Sequence, residues 1–97
     1  MTVAVGMRIP YSLFEQDARA LRAAVARAEA SGIDHLCMGD HVSFHRGQGF
    51  DGLLQAAALA SLTSTMKIET AVYLLALRHP VTVARQVATA VQRRRGT

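Results

Sequence analysis

Apolar residues in this chain alternate between two habits: short unbroken runs, and longer stretches where they recur every three or four positions. The run from Val3 to Ile9 has the length of a buried strand, and Pro10 stops it. Ser12 and Glu15 then stand at capping-box spacing ahead of a helical segment. Phe14, Ala18, Leu21, Val25 and Ala28 would form its apolar stripe, with Arg19, Arg22, Arg27 and Glu29 largely off it. Gly32, after Ser31, sits where a helix C-terminal glycine belongs. A second strand is expected over 35–40, followed by a polar, glycine-containing stretch from Ser43 to Gly52.

Asp51 is placed to cap a helix from Leu53 to about Leu62, rich in Ala and Leu. A third strand is expected from Lys67 to about Leu74 or Leu75. Arg78-His79-Pro80 breaks it, and a last helix is expected from Val81 to about Gln92. The order is β-α-β-α-β-α. Because the strand segments look like continuous apolar runs, a parallel sheet covered on both faces is expected, with right-handed crossovers.

Such a pattern fits three consecutive units of a (β/α)8 barrel, a fold that typically takes ~250 residues. Half of a doubly wound fold is the alternative. Pro10-Tyr11-Ser12 stands after the first strand where that fold's dinucleotide-binding version carries Gly-x-Gly-x-x-Gly, so the barrel reading leads.

Composition narrows the function more by exclusion than by assignment. With 51% hydrophobic and 19% charged residues, the 97-residue chain has the make-up of one folded domain. The net charge of +4 owes most of its excess to Arg93, Arg94 and Arg95; without them it is +1. The other arginines are scattered, so no basic stripe for nucleic acid is read. No apolar run reaches the ~20 residues of a membrane span, and no signal peptide is read. The lone Cys37 cannot form an internal disulfide, and a cytoplasmic protein is expected, with Cys37 an inert buried thiol.

The chemistry concentrates at Gly39-Asp40-His41, where the second apolar run ends. Ligands of α/β proteins gather at the carboxyl ends of strands. His41 is suited to proton transfer or hydrogen bonding, and Asp40 to fixing its tautomer or binding a ring nitrogen. The plainer alternative is a loop-end cap with an exposed histidine. Arg78 and His79 end the third strand, where they could meet a substrate or an anion, or simply stop the strand. His41-x-x-x-His45, with Asp40 and Cys37, has the residue types of a metal site. Its histidines would converge only on a helix, however, and the segment reads as a loop, so no metal is expected. His35 reads as a hydrogen-bonded packing residue.

Several of these segments together resemble the luciferase-like monooxygenase family, which includes the deazaflavin (coenzyme F-420)-dependent oxidoreductases. Gly32-Ile33-Asp34-His35-Leu36 leads into Gly39-Asp40-His41-Val42. Lys67-Ile68-Glu69-Thr70-Ala71-Val72 is followed by Arg78-His79-Pro80 and Ala84-Arg85-Gln86-Val87-Ala88-Thr89. The resemblance implies an incomplete (β/α)8 barrel over residues 1–89, with a divergent basic tail at 90–97. Glu69 stands where the family often has glycine. The sequence after Thr89 departs from the family's usual continuation, as expected of a truncated or frameshifted member.

The resemblance also implies FMN or coenzyme F-420 as cofactor and a small organic molecule as substrate. Asp40 and His41 would face the cofactor ring and substrate. Thr70, Ala71 and Val72 would lie behind the ring, with a non-proline cis peptide between Ala71 and Val72. The implied activity is that of a flavin- or deazaflavin-dependent oxidoreductase or monooxygenase. A non-catalytic fragment that self-associates through exposed sheet edges, as a homo-oligomer, is the competing expectation.

Overall fold

A computed structural model describes residues 3–41 and 50–95. Three strands form one parallel sheet: β1 (Gly6–Arg8), β2 (His35–Met38) and β3 (Lys67–Thr70), in the order β1-β2-β3. Met7 lies opposite Leu36, which lies opposite Ile68, and Met38 lies opposite Thr70. The helices are α1 (Tyr11–Glu15), α2 (Ala18–Ala30), α3 (Gly52–Ala60) and α4 (Pro80–Arg95). The expected β-α-β-α-β-α order is present, with the first helical segment divided in two.

That division corrects the expected capping box. Ser12 lies inside α1, whose first residue follows Pro10, and no side chain caps it. The chain then becomes extended at Gln16, and Asp17 caps α2 through its carboxylate and the Ala20 amide, 2.9 Å apart. Asp17 satisfies one of the amides that a helix start leaves without a partner. Ala18 is consequently exposed, and Ala24 joins Leu21, Val25 and Ala28 on the buried side of α2. At the other end Gly32 has φ +82°, Gly32 N–H donates to Glu29 O and Ile33 N–H to Ala28 O. This is a Schellman ending, and it needs the left-handed conformation that glycine adopts most readily.

The core lies between one face of the sheet and the helices. Ile9, Leu36, Met38, Leu59, Met66 and Val25 are almost completely buried, each burial contributing roughly 2 kcal/mol of transfer free energy. Behind it, the Glu29 carboxylate at the end of α2 accepts from the Thr63 and Thr65 hydroxyls, tying α2 to the connection entering β3.

Among the described residues, no element covers the other face of the sheet. Gly6, Arg8, His35, Cys37, Lys67 and Glu69 share it by register, and none is fully buried. Of the two covered faces expected, the described residues cover one. The strands do alternate, as Arg8, His35, Lys67 and Glu69 occupy every second position, which is the pattern of a sheet buried on one side. Cys37 is likewise half-buried rather than buried. His35 takes the packing part of its expected role, while its contact with Glu69 is longer than a hydrogen bond. It lies over Gly6, where a Cβ would come 2.0 Å from its Nε2, and stands 3.7 Å from the Glu69 carboxylate.

β3 is shorter than expected. After Thr70 the chain passes through a cis Ala71–Val72 peptide, at the position the resemblance implied, and a 3-10 turn at Leu75–Leu77. Val72, Leu74 and Leu75 are apolar yet exposed, so composition alone extends the strand over them.

Candidate functional site

The carboxyl ends of β1, β2 and β3 lie side by side, and the segments leaving them carry the candidate residues. Ala71 N–H donates to Met38 O at 2.8 Å, which fixes the segment after β3 against the end of β2. Gly39, Asp40 and His41 begin at that same end. Thr70 is half-buried, while Ala71 and Val72 are exposed, Val72 at 72%.

Asp40 is held from all sides. Its Oδ1 accepts from the Gly52 amide and from Arg78 Nη2, and its Oδ2 accepts from the Leu74 amide and from Arg78 Nη1, each at 2.7 Å. The side chain has no exposed surface. Burial alone would raise the pKa of this carboxyl. The hydrogen bonds from Arg78, Leu74 and Gly52, with the Arg78 charge, outweigh burial and hold it below its ordinary value. Gly52 fits because it lacks a side chain: a Cβ there would stand 2.8 Å from the Asp40 Cβ.

Arg78 is equally committed. Beyond the bidentate pair it donates to the Asp51 carboxylate at 2.9 Å and to Leu74 O at 2.9 Å, and it lies 4.3 Å from the centre of the Tyr73 ring. Asp51 meanwhile caps α3 through the Leu54 amide, as its position suggested. One guanidinium thus joins the end of β2, the start of α3 and the turn after β3. His79, exposed, accepts the Val81 amide on Nδ1 and so serves the start of α4.

His41 is half-buried beside aromatic neighbours. Its Nε2 is 2.5 Å from the Tyr11 hydroxyl, and the two rings meet edge to face with centroids 5.6 Å apart. Tyr11 also meets Phe50 edge to face at 6.0 Å, and His41 N–H donates to Phe50 O. From α3 the buried Gln55 amide donates to both Gly39 O and Phe50 O, bracing the backbone on either side. Gly39 lies under Arg8 and Tyr11: a Cβ there would be 2.8 Å from Arg8 Nη2 and 2.8 Å from the Tyr11 hydroxyl.

The structure therefore brings Asp40 and Arg78 into direct contact and sets Ala71 against the end of β2. It places His79 on a helix start. His45, the second histidine of the weighed metal pattern, lies outside the described residues. No three His, Cys, Asp or Glu side chains gather as metal ligands among those described. Tyr11, Arg8, Asp51 and Gln55 were not anticipated as members of this cluster. For Tyr11 a signal existed, since it follows β1 by three residues at the sheet end where sites form.

Matched against protein families, residues 3–96 fit the model of the luciferase-like monooxygenases. The chain belongs to that family. No curated protein matches it. The match covers all three strands, all four helices and every candidate residue named above. Luciferase-like monooxygenases are typically flavin-dependent, and membership points to oxidoreductase chemistry. Among the described residues no helix is long and apolar enough to cross a membrane.

Proposed function

We propose that this luciferase-like chain supplies one wall of a flavin or deazaflavin site in an oxidoreductase acting on a small organic substrate. The three βα units are read as part of a (β/α)8 barrel whose mouth lies at the carboxyl ends of β1–β3. The observation that carries the proposal is the Met38–Ala71 hydrogen bond. It brings the end of β3 against the strand whose end carries His41.

The donor set suits a flat ring with polar edges. Ala71 and Val72 offer an exposed apolar surface, Thr70 a hydroxyl, and His41 with Tyr11 a hydrogen-bonding edge. Either cofactor, FMN or coenzyme F-420, would bring the redox chemistry itself. His41 would orient the substrate and hold or release a proton at its imidazole. Thr70 to Val72 would back the ring and keep water from that side.

Asp40 and Arg78 take different roles from those the sequence suggested. Each oxygen of Asp40 already accepts two hydrogen bonds, so its work is to hold Gly52, Leu74 and Arg78 in place. Arg78 in turn is engaged by two carboxylates and is not offered to a substrate anion. His79 is placed to order α4 rather than to bind substrate. A phosphate grip of the kind barrels build after strands 7 and 8 is not formed by this cluster. The isolated chain is therefore expected to bind cofactor weakly.

Fluorescence titration of the purified chain with FMN and with the deazaflavin, using His41→Ala as control, tests the reading. Weak saturable binding that His41→Ala abolishes supports it; binding indifferent to His41 overturns it. The second reading, a self-associating non-catalytic chain, draws on a sheet face and on outer edges of β1 and β3 that no described element covers or pairs with.

A further inference from the structure

We infer that Tyr11 is the positioning residue of His41, fixing which imidazole nitrogen carries the proton. The inference rests on the reading of His41 as a site residue. Its own test needs no cofactor, so the two can fail separately.

The geometry is specific. The Tyr11 hydroxyl stands 2.5 Å from Nε2 of His41, and the two rings meet edge to face at 66°. Two constraints keep the phenol there. On one side its ring packs edge-on against Phe50, whose ring in turn meets Phe14. On the other its hydroxyl rests over Gly39, in space that any side chain at that position would occupy. Tyr11 is the first residue of α1, directly after Pro10, whose ring fixes its own φ at the helix entry.

The direction of the hydrogen bond follows from the two groups. A phenol is a strong donor, and the unprotonated nitrogen of a neutral imidazole is a strong acceptor. The Arg8 guanidinium lies beside the same Gly39 position as the Tyr11 hydroxyl. Positive charge there favours the phenol oxygen turning its lone pairs toward Arg8 and its proton toward His41. Nε2 then accepts, and the ring proton resides on Nδ1. A free imidazole prefers the opposite tautomer, with the proton on Nε2. Tyr11 thus reverses the intrinsic preference of the side chain placed at the mouth of the sheet. His41 would then hold one tautomer and one orientation.

The test is nitrogen NMR of the full chain labelled at histidine, at a pH where imidazoles are neutral. His41 is assigned by its loss in His41→Ala. The wild-type chain should show His41 with Nδ1 protonated. Tyr11→Phe keeps the ring packing but removes the hydroxyl, and should move the tautomer ratio toward Nε2–H by about five-fold or more, the worth of one hydrogen bond. His35 and His79, held by other contacts, report whether the fold persists. Should Tyr11→Phe disturb those signals, Gly39→Ala makes the same test, since its new Cβ displaces the hydroxyl and leaves Tyr11 present. A His41 tautomer unchanged by a folded variant of either kind overturns the assignment, as does a wild-type His41 protonated on Nε2.

Discussion

Asp40 and Arg78 meet as a bidentate pair, Nη1 on Oδ2 and Nη2 on Oδ1, both at 2.7 Å. Paired N–H groups of a guanidinium match the two oxygens of a carboxylate, and the match is strongest where water is excluded. Here the carboxylate has no exposed surface, and the side chain of Arg78 is only 14% exposed. Breaking such a pair from one side leaves a charge without its partner.

Asp40→Ala should therefore destabilise the chain by about 3 kcal/mol, near the lower end for a buried pair, because Asp51 still faces Arg78. Urea unfolding followed by circular dichroism would show this as a lower midpoint. Arg78→Lys should also destabilise, since an ammonium cannot serve both oxygens and Asp51 with the same geometry. A midpoint within error of wild type for Asp40→Ala would mean the pair contributes nothing.

The same carboxyl predicts a direction of pH dependence. Its folded-state pKa lies below the ordinary value of 3.8. The unfolded chain therefore binds more protons over that window, and stability rises with pH. The contribution is fully present above the unfolded value and is lost as pH falls through and below it. Unfolding midpoints measured from pH 6 down to about pH 2 should fall more steeply for the wild type than for Asp40→Asn. Parallel curves would assign the acid sensitivity to other groups.

How far the sequence reveals this arrangement depends on the range of each interaction. Asp51 as a cap and Gly32 as a helix ending are legible because a side chain or a φ value acts on its immediate neighbours. The position of Asp40 and His41 at the carboxyl edge of the sheet is legible because an apolar run ends at Gly39. The role of Asp40 is not, since Arg78 is 38 residues away and only the parallel topology brings the two together. Tyr11 is hidden for the same reason, 30 residues from His41. The length of β3 misleads because Val72, Leu74 and Leu75 are apolar without being buried. The polar character of the second face was legible in Arg8, His35, Lys67 and Glu69, which alternate along the strands.

Gly52 offers a steric test of the same cluster. Alanine there would place a Cβ 2.8 Å from the Asp40 Cβ, a contact that forces backbone or side chain to shift. Alanine is the better helix former, so propensity alone would make Gly52→Ala stabilising by up to ~1 kcal/mol. The clash should win, with a net loss of about 1–2 kcal/mol, typical of overpacking a filled site. In the Asp40→Ala background much of that loss should remain, since alanine keeps the Cβ that is struck. Asp40→Gly should relieve it, and a double-mutant cycle between positions 40 and 52 reads the difference.

The sheet edges lead to a prediction about assembly. Lys67 N–H donates to Asp34 O and Ala71 N–H to Met38 O, so these alternate amides of β3 face β2. Between them, Ile68 and Thr70 turn their amides to the outer edge, where no described strand pairs with them. No described strand pairs with the outer edge of β1 either. Unpaired edges recruit further strands, and here the exposed apolar residues Val72, Leu75 and Leu77 follow directly after β3. The purified chain should form oligomers whose mass grows with concentration in sedimentation velocity. Proline at Thr70 removes an outward amide while leaving the Lys67 and Ala71 bonds to β2 in place. Thr70→Pro should thus lower the oligomer mass at a given concentration without loss of helical signal. A wild-type chain that stays monomeric across the concentration range would show that these edges are protected, and oligomers of equal mass in Thr70→Pro would place the contact elsewhere.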